Sequence, residues 1–291
     1  MTAQRAAALL PQPFRSAFAN YCSRREVPEE IRLRAGREAA IFVNGAEQIL
    51  AGCRSVSVQD IELVVELATG ASVHTAADSI RRGFINTSGG IRIGLCGSGI
   101  SGRSGVESLK QFSSLAIRLP SERKGCGDRL LPLLTEGGFL STLIISPPGG
   151  GKTTLLREII RGLSNGGMRV ALVDERGEVA AVKGGLPQLD IGEKTDVITG
   201  VSKAEAMIML LRSMSPQLIA ADEITAQEDM QAMSAAANCG VSLLATAHAS
   251  RIEDLAERPL YRRLSEEEIF RRAIVIEAHK GERRYRLEEL I

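Results

Sequence analysis

Tryptophan is absent from the 291 residues, and aromatic side chains of any kind make up only 3% of them. Proteins that hold single-stranded nucleic acid commonly stack successive bases on aromatic rings, and this chain has few such platforms. It also lacks an excess of either charge: 36 Lys and Arg stand against 35 Asp and Glu, a formal net charge of +1. That balance removes the whole-chain electrostatic case for nucleic acid, although it leaves room for a local basic patch. No two cysteines are spaced C-x-x-C. Cys22, Cys53, Cys96, Cys126 and Cys239 are an odd number in no zinc or disulfide pattern, which points to a reducing compartment. No apolar run approaches the ~20 residues of a membrane span, and residues 6–10 before Pro11 are too short for a signal-peptide core. A soluble cytoplasmic protein is expected, held at a membrane only through a partner.

What is present is organised around Ser146-Pro147-Pro148-Gly149-Gly150-Gly151-Lys152-Thr153-Thr154, between the apolar run Leu143-Ile144-Ile145 and a helix-patterned segment over 155–163. The strand, glycine-rich turn and helix are the context a phosphate-binding loop requires. Glycine lets successive backbone N–H groups approach a triphosphate, and the following helix adds its positive N-terminal end. Lys152 then bridges the β- and γ-phosphates of ATP, while the Thr153 hydroxyl ligates Mg²⁺. Ser146 departs from the motif G-x-x-x-x-G-K-[ST], whose first position is usually Gly. In the helix, Leu155, Leu156, Ile159, Ile160 and Leu163 form one apolar stripe, with Arg157, Glu158 and Arg161 on the other face.

Beyond residue 138, apolar runs alternate with helical segments, the mark of a parallel sheet buried on both faces. Core strands are expected over 142–145, 170–173, 218–221 and 241–245, with a closing hairpin in the tail. Polar residues gather at their carboxyl ends, where open α/β sheets bind ligands. Of these, Asp222 is assigned to Mg²⁺ and Glu223 to the base that activates water, with Glu178 of Asp174-Glu175-Arg176-Gly177-Glu178 competing for the second role. His248, ending the strand Leu243-Leu244-Ala245-Thr246, is a candidate to hydrogen-bond the γ-phosphate or relay its presence.

Residues 1–28 read as a helical lead-in broken by Pro11, Pro13 and Pro28, with no legible function. Alternation in Glu30-Ile31-Arg32-Leu33-Arg34, a second strand over 39–43, helices over 58–67 and 73–82, a hairpin around Gly89-Gly90, a glycine-dense loop over 97–105 and a strand over 115–119 describe a small α+β domain. Residues 120–128 are the expected linker, followed by a helix over 129–136. The division expected is an N-terminal domain over 1–120 and an ATPase domain over 121–291.

The loop, the acidic box at 174–178, the Asp222-Glu223 pair and Thr246-Ala247-His248-Ala249 occur in the order seen in type II and type IV secretion ATPases, which the second half of the chain resembles. Asp174-Glu175-Arg176-Gly177-Glu178, Leu210-Leu211-Arg212-Ser213-Met214-Ser215-Pro216 and Gly89-Gly90-Ile91-Arg92-Ile93-Gly94 make the chain similar to the stage III sporulation protein AA family, over roughly residues 28–280. The resemblance implies a RecA-like P-loop domain in a homo-oligomer, a hexameric ring at the cytoplasmic base of a membrane channel between mother cell and forespore. Asp222 stands where the wider family often has Gly, and Thr225 where Arg often follows, which leaves Arg212 as the nearest phosphate sensor. It further implies an arginine supplied in trans by the first domain of a neighbouring subunit, for which Arg92, Arg103 and Arg118 are candidates. The rival reading is a nucleic-acid-dependent ATPase on the same fold. It is disfavoured by the scarcity of aromatics and the neutral charge.

Overall fold

The structure, a computed structural model, describes residues 2–70, 77–102, 105–120, 123–257, 259–279 and 282–290. Two compact units divide the chain, Met1–Ser121 with Lys183–Gln188, and Glu122–Val182 with Leu189–Ile291.

The first unit opens with α1 (Thr2–Ala8) and α2 (Phe14–Cys22), followed by β1 (Glu30–Arg34), β2 (Ala40–Val43), β3 (Ala46–Ile49), α3 (Val58–Thr69), α4 (Ala77–Arg81), β4 (Phe84–Asn86), β5 (Arg92–Gly102) and β6 (Gly105–Arg118). Residues 73–76 of the helix expected over 73–82 lie outside the described residues. The six strands form one antiparallel sheet in the order β3-β2-β1-β6-β5-β4. The lead-in segment has a plain structural purpose. Ala6, Leu10, Phe14 and Phe18 are fully buried and pack with Ile31, Leu33, Ile41, Ile61, Ile93 and Ile117. Each large apolar side chain so buried contributes about 1.5–3 kcal/mol, so the two helices belong to the core rather than to a tail.

Over 97–102 and at Gly105 the glycine-dense stretch is strand rather than loop, and residues 103–104 lie outside the described residues. β5 and β6 continue their ladder through it, with register shifts between Cys96 and Ser98 and between Ile100 and Ser101. Gly97 is needed there because a β-carbon at that position would lie 2.6 Å from the Lys110 carbonyl oxygen. Glycine in this strand marks close backbone approach at a bulge, which composition alone cannot tell from a turn.

The second unit contains α5 (Leu131–Thr135), β7 (Thr142–Ser146), α6 (Lys152–Asn165), β8 (Val170–Asp174), β9 (Thr195–Thr199), α7 (Lys203–Ser213), β10 (Leu218–Ala221), α8 (Gln227–Asn238), β11 (Ser242–His248), α9 (Glu253–Glu257), α10 (Pro259–Glu266), β12 (Arg272–His279) and β13 (Glu282–Glu289). Its sheet runs β13-β12-β7-β11-β10-β8-β9, parallel throughout except for β13. The four expected core strands are present. β9 is an addition, an edge strand whose partial exposure hides it from a search for apolar runs. Every residue of β7, β8 and β10 is buried, and alternation divides them between two cores. Leu143, Ile145, Ala171 and Val173 pack on the side of α7 and α8, whereas Ile144, Val170 and Leu172 pack on the side of α6.

The apolar stripe of α6 is buried as its spacing requires. Its other face is not left to solvent either, because Arg157 and Glu158 are also buried. Arg157 donates to the carbonyls of Val179 (2.6 Å) and Glu178 (2.9 Å), and Glu158 accepts from the Gly125 N–H (2.6 Å) and from Arg161. Neighbouring turns cover this face and use its charges to satisfy their backbone.

Candidate active site

The carboxyl ends of β7, β11, β10 and β8 meet the start of α6, and each supplies a polar group because each strand stops at the same edge of the parallel sheet. Ser146 is the last residue of β7 and is fully buried, with its hydroxyl donating to the Pro147 carbonyl at 2.9 Å. The turn that follows needs positive φ at Gly149 (+74°) and Gly151 (+98°), a region that L side chains rarely occupy. Gly150 is constrained differently, since a β-carbon there would come 2.2 Å from Ser146 Oγ. Serine at the first motif position thus fills the hollow of the loop. Pro148 is exposed on its outside, and Thr154 lies in the first turn of α6 beside Thr153.

Lys152 is buried, and its Nζ donates to the carbonyls of Ser146 (2.9 Å) and Pro147 (3.2 Å) and lies 2.8 Å from His248 Nδ1. His248 Nε2 is 2.9 Å from Glu223 Oε1, and Arg176 Nη1 lies 3.5 Å from Glu223 Oε2. With Lys152 donating to Nδ1, the imidazole proton sits on Nε2 and is given to Glu223. Burial pushes the Lys152 ammonium below its ordinary pKa, while the Asp222 and Glu223 carboxylates act in the other direction. The two carboxylates thus offset part of the cost of burying the lysine's charge.

Asp222 is fixed from two sides. Its Oδ1 accepts from Thr246 Oγ1 (2.7 Å) and from the Glu223 N–H (3.1 Å), and its Oδ2 accepts from Thr153 Oγ1 (2.9 Å). Glu223 has φ +40°, unusual for a side-chain-bearing residue, and its N–H donates to Thr246 Oγ1 at 2.8 Å. Among the described residues there is no cluster of three His, Cys, Asp or Glu suited to hold a metal by protein ligands alone. The Thr153 hydroxyl and Asp222 carboxylate fit Mg²⁺ nonetheless, because that ion takes hard oxygen donors, few from protein, and keeps waters and substrate phosphates for the rest.

The acidic box has another design. Asp174 is buried and accepts from the N–H groups of Glu178 (2.8 Å), Val179 (3.1 Å) and Ala180 (2.9 Å). Burial raises its pKa, opposed by the bonds from Ala180 and Val179. Glu178 follows in this turn, with its backbone held by Asp174 and Arg157. The contact with His248 is made by Glu223. Glu175 is paired with the buried Lys203 at 2.7 Å.

Arg212 is not brought to the site. Helix α7 begins at the functional edge, where Lys203 meets Glu175, and runs back along the sheet to the end where β10 starts. Its nine-residue separation from Lys203 puts Arg212 roughly 14 Å away along the helix axis, exposed on the last turn. The motif order in the sequence could not show this, because sequence proximity to Asp222 does not say which edge of the sheet a helix end occupies. In the first unit, Arg92 and Arg118 are register partners on β5 and β6. The Arg92 guanidinium lies 4.0 Å from the Phe84 ring centroid, and Arg118 pairs with Glu30 at 3.1 Å. Arg103 lies outside the described residues. Sequence reasoning gave no part to Thr246 as the hydroxyl that ties Asp222 to Glu223, nor to Arg176 as the cation facing Glu223. For Thr246 the signal was a hydroxyl two residues before His248 on β11.

Residues 3–286 match the family described as "Sporulation stage III, protein AA". Stage III sporulation protein AA of Bacillus subtilis (strain 168) is 34% identical over 281 residues, covering 94% of this chain and 91% of that protein. Among solved structures, the ATPase DotB of Legionella pneumophila aligns with TM-score 0.59 at 17% identity, over 90% of this chain and 76% of that one. The pilus retraction motor PilT, solved with bound ADP, aligns with TM-score 0.60 at 20% identity, over 90% and 79%. Identities this low speak to a shared fold alone.

Proposed function

The chain belongs to the sporulation stage III, protein AA family, and on that premise we propose that it is a Mg²⁺-dependent ATPase acting as a homo-oligomeric, hexameric ring. It energises a membrane channel of sporulation from the cytoplasmic side. The observation that carries the reading is the continuous chain from Lys152 through His248 to Glu223, set beside the Thr153–Asp222 pair. In it the group that reads the terminal phosphate and the carboxylate that would take a proton are two hydrogen bonds apart.

The residues divide the work as follows. Loop N–H groups from Gly149 to Thr154 cradle the phosphates of ATP, and Lys152 exchanges its contacts with the Ser146 and Pro147 carbonyls for the β- and γ-oxygens. Thr153 and Asp222 would hold Mg²⁺, which when bound supplies charge neutralisation at the phosphates. Glu223 accepts the proton of the attacking water, and His248 fixes that carboxylate relative to Lys152. Glu178 is the alternative base. Arg92 or Arg118 of a neighbouring subunit supplies the charge that Lys152 leaves unbalanced, a contribution that can reach about 10³ or more in rate.

ATP turnover measured against protein concentration tests both parts. Turnover per subunit is expected to rise steeply with concentration, and Lys152→Ala to abolish it. Mixing inactive Lys152→Ala chains with inactive Arg92→Ala or Arg118→Ala chains should restore part of the activity, since a mixed ring contains some interfaces with both groups intact. Wild-type turnover in Lys152→Ala would refute the loop assignment. Concentration-independent turnover without recovery in any mixture would refute the ring.

A further inference from the structure

The last hairpin of the sheet carries an arginine to the phosphate loop from the flank opposite the carboxylates. β12 lies parallel to β7, with Val275 opposite Ile145 near the tip of the buried ladder. β12 then runs on to His279, and β13 returns with Arg283 opposite Ala278. Arg283 therefore stands three residues, about 10 Å, past the level of Ile145, where the loop lies. Strand alternation sets its direction. Tyr285 and Leu287, two and four residues on, pack against the core that contains Leu155, Leu156 and Ile159 of α6. Arg283 continues that face beyond the core and onto the start of α6. The approach is close: a β-carbon at Gly151, the N-cap of α6, would come 2.8 Å from Arg283 Cζ and 2.9 Å from its Nη1.

Packing alone does not account for a guanidinium there. The N-terminal end of a helix carries partial positive charge and repels a cation unless an anion lies between them. Among the described residues no carboxylate pairs with Arg283, whereas Arg286 on the opposite face of the same strand pairs with Glu277 and Glu288. An unpaired arginine at a phosphate loop has one obvious complement, a phosphate.

Which phosphate follows from strand order. His248, Asp222 and Glu223 stand on or just after β11 and β10, on one side of β7, and β12 and β13 lie on the other. The hydrolytic end of the nucleotide belongs with the carboxylates, so the side of Arg283 faces the portion that ATP and ADP share. We infer that Arg283 is a nucleotide-binding residue of its own subunit, contacting the α- and β-phosphates of ATP or ADP. The inference rests on the phosphate-loop reading above and adds to it an arginine in cis, distinct from one supplied in trans.

Equilibrium titration of ATP and ADP, each with Mg²⁺, on the full chain tests it, with thermal unfolding of every variant as a control for folding. Arg283→Ala should weaken both nucleotides by the same factor, about 10- to 100-fold, as expected for one lost charge-assisted phosphate contact. KM should rise in step while kcat at saturating ATP stays within about threefold, because the contact is made equally before and during hydrolysis. Arg283→Gln, which keeps the length of the side chain and removes its charge, should behave alike if the alanine variant folds poorly. Arg284→Ala, exposed on the other face, should leave both affinities unchanged. Unchanged ADP affinity in folded Arg283→Ala or Arg283→Gln, whether or not kcat falls, would overturn the assignment. A wild-type chain that binds neither nucleotide would refute the phosphate-loop reading itself, an outcome distinct from that one.

Discussion

Replacing Glu223 by glutamine tests the proposed proton acceptor apart from everything else the residue does. The φ of +40° at Glu223 is held through its backbone N–H, which donates to Thr246 Oγ1 and Asp222 Oδ1, groups the substitution leaves alone. The amide oxygen can still accept from His248 Nε2, now 2.9 Å from Glu223 Oε1. The ion pair with Arg176 is lost, but with Arg176 57% and Glu223 29% exposed it is worth at most about 1 kcal/mol. Stability should therefore fall by no more than about 1 kcal/mol, and ATP affinity near neutral pH should stay within about threefold. The rate should fall about 10²- to 10⁴-fold, the range for losing a general base, which corresponds to roughly 3–5 kcal/mol on the barrier. A secondary effect has a definite sign. Lys152, whose pKa is already pushed down by burial, loses one of the two carboxylates that hold it up. The variant should thus lose ATP affinity at a lower alkaline pH than the wild type. Single-turnover hydrolysis of prebound ATP, run beside Glu178→Gln, is the assay. A large rate loss in Glu178→Gln together with a near-normal Glu223→Gln would refute the assignment and move the base to the acidic box.

Two further substitutions test the geometry away from the chemistry. Gly150→Ala should abolish ADP binding, because the new β-carbon would lie 2.2 Å from Ser146 Oγ and 3.1 Å from the Pro147 carbonyl oxygen. Ser146→Gly in the same chain should recover part of the affinity by removing the first obstacle, and wild-type ADP binding in Gly150→Ala alone would show the loop to be built otherwise. In the first unit, Asp60 is bonded by Arg54 and by Ser57 at the start of α3, and these contacts hold its pKa down to about 2. An unfolded carboxylate titrates near 3.9, so this contribution to stability is present above about pH 4 and is lost as pH falls toward 2. Asp60→Asn should therefore lower the urea midpoint at pH 7, with the gap to wild type narrowing below about pH 4; a gap that does not change with pH would refute the account.

Much of the second unit was legible because its strands are buried on both faces. Such strands appear as continuous apolar runs, and the polar residues that end them appear as punctuation. Ser146, Lys152, Asp222 and His248 could be assembled on that basis, since parallel strands deliver their carboxyl ends to one edge. What escaped were contacts between distant pieces. Helical periodicity identified the polar face of α6, but nothing local says that the backbone of 178–179 and of Gly125 will cover Arg157 and Glu158. Gly97 looks the same in sequence whether glycine serves a turn or a bulge. Arg283 lies far beyond the loop in sequence, in a tail whose alternation reads only as a hairpin.

The two acidic strand ends also looked equivalent, each an Asp-Glu pair after an apolar strand. The donors that reach their oxygens distinguish them. Both carboxylate oxygens of Asp174 are occupied by three backbone N–H donors of its own turn, and Glu175 is held by a buried lysine. A carboxylate so employed serves the backbone of its own turn. Asp222 also accepts three hydrogen bonds, two at Oδ1 from Thr246 and the Glu223 N–H, but the third, at Oδ2, comes from Thr153 Oγ1, the hydroxyl that would share its metal. Glu223 faces His248 and, through it, Lys152. The same dipeptide thus stabilises a turn after β8 and faces Thr153 and, through His248, Lys152 after β10. The difference arises from the residues that follow each pair. After β8, Gly177 at φ +66° lets the chain fold back so that three N–H groups reach Asp174, whereas after β10 the N–H of Ile224 bonds to the Thr246 carbonyl and the chain leaves toward α8. The carboxylates that follow β10 remain turned toward the loop because the Ile224 N–H is committed to β11 and only the Glu223 N–H reaches Asp222.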